Sequence, residues 1–554
     1  MAQPKPEQSK IKRKKDYSTV FKSAFEFDFS WSEAFEHESF RRVFCEEIIP
    51  KYIVQKRWFA GKSSTIKYVE VLDNLTVPSN AHRYYGVLLE VNFEEAFFQN
   101  YFIPLSFMLE EELDGTSTLI APMKFKEGKG YLVDALHIED FRAMLFRKIV
   151  GMEDDGHDRL DFDISEDMRG VAYESSHFMK GEQSNTSLIY NNRFVLKIYR
   201  RIFIDANPDF ELNKFLAEQQ NFTHCPPYRG SLNMRFDQGT VTLALMQDLV
   251  SNQGEAWTTF TEELKNAFLL LEQKQVNISS LPTNRMFERI RIEHIPPQII
   301  DWAGLRLFNM VHQLARRTAE MHSALGDCTT DTSFTPTAFN GDYEVWLKNK
   351  LSYQFSNRVN LIENNLYKLN AEARELAQQF LNRKREIRMR FLRFDWTKLK
   401  GERIRIHGDY HLGQVLVDRG DFIILDFEGE PESTIVDRKV KQPPLKDVAG
   451  MFRSFHYAVY SAILSNSDAL KYEPEHLFEA AEKLYSYLVG AFFGSYMNTI
   501  YEAGNLNLGY TKEREFTLRF HLLEKAVYEL GYELNSRPTW AIIPLRGIMS
   551  LLND

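Results

Sequence analysis

The chain has 554 residues, a hydrophobic fraction of 44% and a formal net charge of −9 at pH 7. This length is enough for two or three domains, and the negative charge argues against bulk affinity for nucleic acid. The three cysteines, Cys45, Cys225 and Cys328, are odd in number and far apart. They argue against a disulfide framework or a metal cluster and fit a reducing compartment.

The two segments that most resemble targeting signals both have simpler explanations. The N-terminal residues up to Lys15 are rich in Pro, Gln and Lys, and no apolar run follows them. We therefore predict a disordered basic tail over residues 1–20 rather than a signal peptide. The longest uncharged run, Leu484 to Tyr501, contains Tyr, Ser, Gly and Asn throughout, which favours a buried helix over a membrane span. We expect a cytoplasmic protein without a membrane partner.

Residues 21–150 begin with a helical pattern and continue with strand-like segments. The run Arg57 to Ser63 ends in Gly-Lys-Ser, as a phosphate-binding P-loop does, but Lys56 stands where that motif has its first glycine. Bulky aromatic residues also occupy positions where a phosphate needs bare backbone, so we reject the P-loop interpretation. Three later segments fit strands: Ile66 to Leu75, Tyr84 to Glu94, and Glu95 to Leu105.

An acidic, glycine-containing segment separates this region from the next. Residues 151–170 include the run Glu153 to Asp158, which predicts a linker. A calcium-binding loop is a weak alternative, because the spacing of the oxygen-bearing side chains differs from that of an EF-hand.

Residues 171–250 open as strand, loop, strand, turn and strand. The loop stands where kinases place a phosphate-covering loop, and it offers small polar groups to phosphate: Ser184, Asn185 and Thr186. Lys197 lies in an otherwise apolar strand, and Glu211 lies one turn into a helix whose first turn contains Pro208. A strand lysine that contacts phosphates and is held by a helix glutamate is the kinase arrangement, so we predict a Lys197–Glu211 ion pair.

A buried strand from Val241 to Val250 runs into a polar break. Its position resembles the kinase hinge, where adenine meets the backbone. By position alone, we predict adenine contacts from Met246, Gln247 and Leu249.

The remainder, residues 251–554, is mostly helical. Apolar residues recur at a spacing of three and four between Leu305 and Leu325, and His322 on this face is interpreted as a core hydrogen-bonding group. The segment from Tyr343 to Lys398 is a highly charged pair of helices with a solvated face, to which we assign no chemistry.

The most informative stretch runs from Ile404 to Glu428. It predicts a short strand, a loop, a second strand, a turn and a third strand. Such a ribbon brings Asp409, Gln414 and Asp426 to one rim. A phosphoryl transferase needs one carboxylate to accept or orient a hydroxyl proton, and an amide and a second carboxylate suit Mg²⁺. Each residue alone is more often part of an ordinary polar turn, but the full spacing favours function.

The C-terminal helix from Glu524 to Asn535 presents a mixed face. Lys525, Tyr528 and Tyr532 follow one another at i, i+3 and i+7, and Trp540 comes shortly after. An aromatic stripe usually belongs to a core, but a lysine within the stripe weakens that interpretation. One cation beside aromatic rings is suited to binding a sugar.

These motifs together resemble a known family. His407-Gly408-Asp409-x-His411-x-x-Gln414 with Asp426-Phe427-Glu428 resembles the kinase-like small-molecule phosphotransferases, which include the aminoglycoside and choline kinases. Gln at the second metal position and the continuation Gly429-Glu430-Pro431 are similar to the narrower maltokinase family, as are the Arg57 to Ser63 and Glu524 to Trp540 runs. The His-Arg-Asp of protein kinases is absent, so a protein substrate is not expected.

The resemblance implies an α+β fold: a bilobal protein-kinase-like (aminoglycoside phosphotransferase-like) fold with an N-terminal β-rich cap domain. It places the cap at residues 21–150, the linker at 151–170, the kinase N-lobe at 171–250 and the helical C-lobe at 251–554. It implies that Asp409 is the base, that Gln414 and Asp426 hold Mg²⁺, and that Lys197 contacts ATP phosphates. It also implies that Asp447 braces the Asp409 loop rather than capping its own helix. The implied substrate-binding residues are His407, His411, Glu428, Lys525, Tyr528, Tyr532 and Trp540.

The implied activity is ATP- and Mg²⁺-dependent phosphorylation of maltose at the anomeric hydroxyl, which gives maltose 1-phosphate for α-glucan (glycogen) synthesis from trehalose and maltose. The implied partner is trehalose synthase, and the implied state is a monomer or a homodimer. A glucosamine or other aminosugar kinase is the same-class alternative. A non-catalytic sugar-binding scaffold is the alternative of another class. The presence of Lys197, Asp409, Gln414 and Asp426 argues against it.

Overall fold

The computed structural model describes residues 19–78, 82–113, 118–152, 159–180, 184–237, 239–466 and 469–553. Most of the predicted tail, residues 153–158 of the predicted linker, and residues 181–183 of the predicted phosphate loop lie outside the described residues. The chain divides into two compact units. Unit 1 comprises residues 1–207 and 228–249, and unit 2 comprises residues 208–227 and 250–554.

In the residues that the structure describes, unit 1 contains two sheets and three α-helices. The first sheet has the order β1-β5-β6-β4-β3-β2 with β11 added to β4, and the second has the order β7-β12-β13-β10-β9-β8. The strands are β1 (Phe25–Glu26), β2 (Ile66–Pro78), β3 (Arg83–Phe93), β4 (Phe98–Leu109), β5 (Leu119–Phe125), β6 (Gly128–Asp134), β7 (Leu160–Ile164), β8 (Ser176–Phe178), β9 (Thr186–Tyr190), β10 (Phe194–Ile198), β11 (Arg201–Ile202), β12 (Tyr228–Phe236) and β13 (Gly239–Asp248). The helices are α1 (Glu38–Val43), α2 (Ile49–Ile53) and α3 (Glu139–Ile149).

The first sheet packs against an aromatic core. Strand β4 is almost continuously buried. In its neighbour β3, buried and exposed residues alternate less strictly than they would in a strand with one face in solvent. Gly61 lies in this core, where an added Cβ would collide with the ring of Phe93. The glycine of the P-loop-like run is therefore required by packing, in agreement with our rejection of a phosphate site there. The three segments predicted as strands correspond to β2, β3 and β4.

A buried arginine joins the two sheets of unit 1. Arg200 donates from Nη2 to Oδ2 of Asp134 at 2.6 Å, and both side chains are at most 3% exposed. The same guanidinium donates from Nε to Oγ1 of Thr186 and lies 5.4 Å from the ring centroid of Trp58. Since β11 also pairs with β4 directly after Arg200, the chain crosses from one sheet to the other at this point.

The second sheet contains the predicted strand, loop and turn. Asn191 and Asn192 both have positive φ, 53° and 52°, in the turn between β9 and β10, which the bond from the Arg193 amide to the Tyr190 carbonyl closes. Lys197 lies opposite Leu245 within the sheet. Strand β7 also belongs to this sheet and pairs with β12, so the segment predicted as a linker contains a strand. The predicted domain boundaries otherwise stay predictions.

Unit 2 is helical apart from two short ribbons. Its helices are α4 (Pro208–Lys214), α5 (Ala256–Lys274), α6 (Pro297–Ala303), α7 (Leu305–Gly326), α8 (Gly341–Asn365), α9 (Ala371–Asn382), α10 (Lys384–Leu392), α11 (Ile435–Lys439), α12 (Leu445–Leu464), α13 (Pro474–Ala503), α14 (Thr511–Ser536) and α15 (Ile542–Asn553). Its strands are β14 (Thr337–Ala338), β15 (Glu402–Arg403), β16 (Val415–Asp418) and β17 (Asp421–Ile424).

The core of unit 2 is built around α12, which is buried along almost its whole length. Helix α13 contains the uncharged run from Leu484 to Tyr501 and is largely buried, as predicted. Within the described residues, none of the helices combines the length and apolar character that a membrane crossing requires. The charged segment predicted as two helices forms three, α8 to α10, because the chain turns again near Arg383.

Candidate active site

The central ribbon of unit 2 is a tight antiparallel hairpin. Val415 pairs with Ile424 and Asp418 pairs with Asp421. Arg419 and Gly420 form the turn with positive φ values of 50° and 85°. The Leu425 amide also donates to the Gln414 carbonyl at 2.9 Å, which extends the pairing by one step. Gln414 and Asp426 are thereby brought to the same end of the ribbon, as the sequence predicted.

The loop before the hairpin is held by a buried carboxylate. Asp447 accepts hydrogen bonds from the backbone amides of His407 at 2.8 Å and Gly408 at 2.9 Å. His322 contacts the same carboxylate at 3.1 Å and Tyr496 on its other side. Burial opposes ionisation of Asp447, but His322 and the amides outweigh it and lower its pKa. These bonds agree with the brace that the resemblance implied for Asp447 and with a core role for His322.

The candidate base, Asp409, is paired with a lysine from the C-terminal helix. Lys525 donates from Nζ to Oδ1 of Asp409 at 2.8 Å, and His411 Nε2 lies 4.0 Å from Oδ2. Burial raises the pKa of Asp409, but the ammonium of Lys525 more than offsets it, so the pKa lies below its usual value. Burial lowers the pKa of His411. The pair therefore consists of an ionised carboxylate and an ammonium, next to a neutral imidazole.

An oxygen-rich group surrounds the end of the hairpin. Gln414 donates from Nε2 to Oδ2 of Asp426 at 3.0 Å. Carboxylate oxygens of Asp209, Asp426 and Glu428 lie within 4.8 Å of one another. Carboxylate and amide oxygens are hard ligands, so this donor set fits Mg²⁺.

Sequence analysis did not identify Asp209 as a site residue. It lies in the first turn of α4, is 1% exposed, and accepts the Phe427 amide on Oδ1 at 2.9 Å. An acidic residue after Pro208 has the pattern of an ordinary helix start. No local pattern separates it from a helix cap, because its role depends on a contact 218 residues away in the chain.

A network of buried charges lies behind Asp409 and Lys525. Glu430 is paired with Lys350 at 2.9 Å and Lys446 at 3.3 Å, and Lys446 also contacts Glu524 at 3.4 Å. His521 bonds the other oxygen of Glu524 at 2.6 Å. Burial opposes ionisation of Glu524, but Lys446 and His521 lower its pKa to about 2. These charges compensate one another and fix α14 against the site.

Several residues predicted to bind nucleotide lie in unit 1. Lys197, Ser184, Asn185 and Gln247 lie on or beside the second sheet. Met246 is fully buried, which argues against the predicted adenine contact, and the Leu249 amide is already bonded to the Arg193 carbonyl. The Thr186 hydroxyl bonds Arg200, so it serves the contact between the sheets rather than the predicted phosphate site.

Glu211, which lies in unit 2, is paired there with two cations. Arg405 donates to one carboxylate oxygen at 3.1 Å and Lys439 to the other at 3.1 Å. The predicted Lys197–Glu211 pair joins the two units and stays a prediction. These two cations could not be predicted from the sequence, because both are distant from Glu211 in the chain.

The predicted sugar-binding residues separate into groups. His407 is 1% exposed and bonds the Leu425 carbonyl at 2.8 Å, so it orders the hairpin and the prediction of a substrate contact is wrong. The Tyr528 ring lies 5.1 Å from Lys525 and 5.2 Å from Arg358. Tyr532 and Trp540 instead flank Arg537 at 5.8 and 4.5 Å. His411 and Tyr528 thus lie close to the Asp409–Lys525 pair, whereas Glu428 belongs to the acidic group.

Parts of the chain are similar to known proteins in sequence, and most of it is similar to solved structures. Residues 52–137 match the family model of the maltokinase N-terminal cap domain. The chain is similar to a glucosamine kinase from Streptacidiphilus jiangxiensis, with 27% identity over 152 residues, which covers 27% of this chain and 32% of that protein. It is also similar to a glucosamine kinase from Mycolicibacterium smegmatis, with 30% identity over 150 residues, which covers 27% of this chain and 34% of that protein. The alignments span about a third of the length of these curated relatives.

Solved structures of glucosamine kinase share the fold. Crystal form B has a TM-score of 0.60 and 16% identity, and the match covers 91% of this chain and 97% of that chain. A complex of glucosamine kinase with glucosamine, ADP and inorganic phosphate has a TM-score of 0.57 and 15% identity. That match covers 91% of this chain and 99% of the other. The predicted fold class, α+β and kinase-like with a β-rich N-terminal cap, is confirmed. Residues 52–137 thus match a maltokinase N-terminal cap domain, within a chain that shares the fold of glucosamine kinase.

Proposed function

We propose that the protein is a kinase that transfers phosphate from ATP to a hydroxyl of a small sugar, and that the acceptor is the anomeric hydroxyl of maltose. The observation that carries this proposal is the Lys525–Asp409 ion pair at 2.8 Å beside the Gln414–Asp426 contact. One carboxylate is thereby set to receive a hydroxyl, and an adjacent oxygen-rich group is suited to Mg²⁺.

In this mechanism, Asp409 orients the sugar hydroxyl and accepts its proton as the oxygen bonds to the γ-phosphorus. The bond between that phosphorus and the leaving oxygen breaks, and ADP departs with the electron pair. Asp409 is ready for this role because its lowered pKa keeps it ionised at neutral pH. Gln414 and Asp426, together with Asp209 and Glu428, would hold Mg²⁺, which supplies charge neutralisation for the phosphates.

Lys525 favours a neutral sugar over an amino sugar. Its ammonium is already held beside Asp409. Burial would lower the pKa of Lys525, but the carboxylates of Asp409 and Glu430 outweigh this effect and raise the pKa. A second ammonium about 5 Å away would be repelled by about 3 kcal/mol at an effective dielectric constant of 20. Glu430, the nearby acid, is already paired with Lys350 and Lys446 and offers little compensation.

A glucosamine kinase of the same fold remains the second candidate, because the similar curated proteins carry that name. Measuring ADP release with maltose, glucose, glucosamine, trehalose and an aminoglycoside separates the candidates. The proposal expects the highest kcat/KM for maltose, and for the Asp409→Asn variant a kcat lower by about 10²-fold or more. A clear preference for glucosamine would overturn maltose as the acceptor but retain the kinase.

The metabolic setting follows from the same proposal. Maltose 1-phosphate would feed α-glucan synthesis from trehalose and maltose in the cytoplasm, with trehalose synthase as the associated enzyme. A non-catalytic scaffold is the remaining alternative, and titration calorimetry with ATP and Mg²⁺ tests it. The kinase must bind both, and failure to bind either would favour the scaffold.

A further inference from the structure

A strongly basic segment of unit 2 has no role in the proposed reaction. Residues 383–400 contain eight Lys or Arg residues and only two acids, in a chain whose net charge is −9. Our sequence analysis treated this segment as a solvated face. In the structure it includes α10 and the turn that follows, and it forms one wall of a cleft.

The cleft lies between α10, α14 and α15 and has a volume of about 340 Å³. We call it the arginine–phenylalanine cleft. Its apolar surface includes Phe394 and Phe516, whose ring centroids are 3.7 Å apart at an interplanar angle of 25°. Among the described residues, the charged groups that line it are all arginines, and none is a carboxylate: Arg390, Arg393 and Arg519.

The three arginines differ in how far they are already satisfied. Arg390 donates to Glu386 at 3.0 Å and to the Leu551 and Leu552 carbonyls at 3.1 and 3.2 Å. Arg393 is exposed, and within the described part of the chain no carboxylate pairs with its guanidinium. Arg519, on the α14 wall of the cleft, lies 5.2 Å from the ring centroid of Phe287 and takes part in a further contact. Arg393 and Arg519 bring positive charge to the cleft from two different helical segments.

We propose that this cleft binds an organic phosphate, with the phosphate between Arg393 and Arg519 and the rest of the molecule against Phe394 and Phe516. Guanidinium groups match phosphate oxygens in charge and geometry. The volume falls in the range of small-molecule sites, and the apolar wall gives a ring or sugar face a surface to cover. An anion without an organic body would leave that wall exposed to water. A nucleotide and a sugar phosphate share the required chemistry.

The cleft is connected to Asp409 through a single helix. Arg519 and Lys525 both lie on α14, six residues apart, or about 9 Å along the helix axis. Ligand binding at Arg519 therefore acts on the element that positions Lys525 against Asp409. The Trp396 ring lies 5.7 Å from Phe394 and 5.6 Å from Phe516, so its fluorescence provides a local reporter.

The test is calorimetric titration of the full chain with AMP, glucose 6-phosphate and inorganic phosphate, without turnover. Saturable binding of AMP or glucose 6-phosphate is expected, weakened about tenfold or more in Arg393→Gln and in Arg393→Gln/Arg519→Gln. Arg388→Gln, an exposed arginine of the same helix outside the cleft, should bind as the wild type does. Lys197→Met, which removes the proposed contact with ATP phosphates, should also retain this binding, which separates the cleft from the proposed ATP site.

The two organic probes distinguish the source of the phosphate, and binding of either one supports the proposal. Arg393 is exposed, so substituting it alone should leave the thermal unfolding temperature unchanged. The single variant therefore still tests the proposal if the double variant is unstable. Absence of saturable binding by both organic probes would overturn the proposal. So would unchanged affinity in Arg393→Gln, equal affinity for inorganic phosphate, or tighter binding of an acidic peptide at the same residues.

Discussion

Lys525 and Asp409 are 116 residues apart in the chain, and their charged groups are 2.8 Å apart in the fold. Burial alone would raise the pKa of a carboxyl at this position, and the ammonium reverses that effect. Lys525 therefore determines whether Asp409 is ionised, as the proposed activation of a sugar hydroxyl requires. It also places a positive charge in the region that the substrate must occupy.

The first prediction concerns pH. In Lys525→Met, burial remains and the compensating cation is lost, so the pKa of Asp409 should rise. Since Asp409 must be ionised to accept a proton, the acid limb of kcat/KM should move toward neutral pH. Lys525→Arg keeps a cation and should leave the limb close to its original position. An unchanged acid limb in Lys525→Met would contradict this account.

The second prediction concerns the base. Asp409→Asn keeps the shape of the side chain but cannot accept a proton, so kcat should fall about 10²- to 10⁴-fold. ATP binding, measured by calorimetry, should remain near the wild-type value. Asp418→Asn is the matched control, because Asp418 is a partly exposed acid of the same hairpin. If Asp409→Asn turned over at the wild-type rate, the proposed role of Asp409 would be wrong.

The third prediction concerns the metal-binding group. Asp426→Asn removes a charge from the group formed with Asp209 and Glu428, and should weaken activation by Mg²⁺ about 10- to 100-fold. Asp209→Asn keeps an oxygen for the Phe427 amide, so it should weaken Mg²⁺ activation without unfolding the protein. Activity should be measured across a Mg²⁺ titration at fixed ATP, with EDTA abolishing turnover. Wild-type Mg²⁺ dependence in both variants would remove this group from the mechanism.

The fourth prediction concerns stability. Asp447→Ala leaves two backbone amides and His322 without their buried acceptor, and should lower the free energy of unfolding by about 3–5 kcal/mol. Urea unfolding measures this change. Asp418→Ala should cost far less, because its 3.9 Å contact with Arg419 is exposed. Equal losses in the two variants would show that Asp447 does not brace the loop.

The hairpin could be predicted from sequence because its information is local. Apolar runs that include Val415 and Ile424 flank a four-residue turn, which sets the strand register. The sequence therefore predicts correctly that Gln414 and Asp426 lie together. The cap was recognised from the run that begins at Arg57, and the match over residues 52–137 confirms it. In both cases, a short stretch of chain determines the outcome.

The remainder of the site could not be predicted, because its pairings are long-range. Asp209 resembled a helix-start acid, and Glu211 was assigned to Lys197 without knowledge of Arg405 and Lys439. His407 lies within a catalytic motif, but its burial against the Leu425 carbonyl gives it a structural role. Residue type and spacing predict the chemistry available, whereas burial and the partner of each charge appear only in the folded chain.

The bond between Arg200 and Asp134 also bears on how this protein can be altered. A version shortened to remove the β-rich N-terminal domain would expose a guanidinium that now has almost no contact with water, and β4 would no longer protect the edge formed by Arg201 and Ile202. The cap therefore cannot be removed without a change elsewhere in the chain. A shortened protein, natural or engineered, would also need substitutions at Arg200 and in β11.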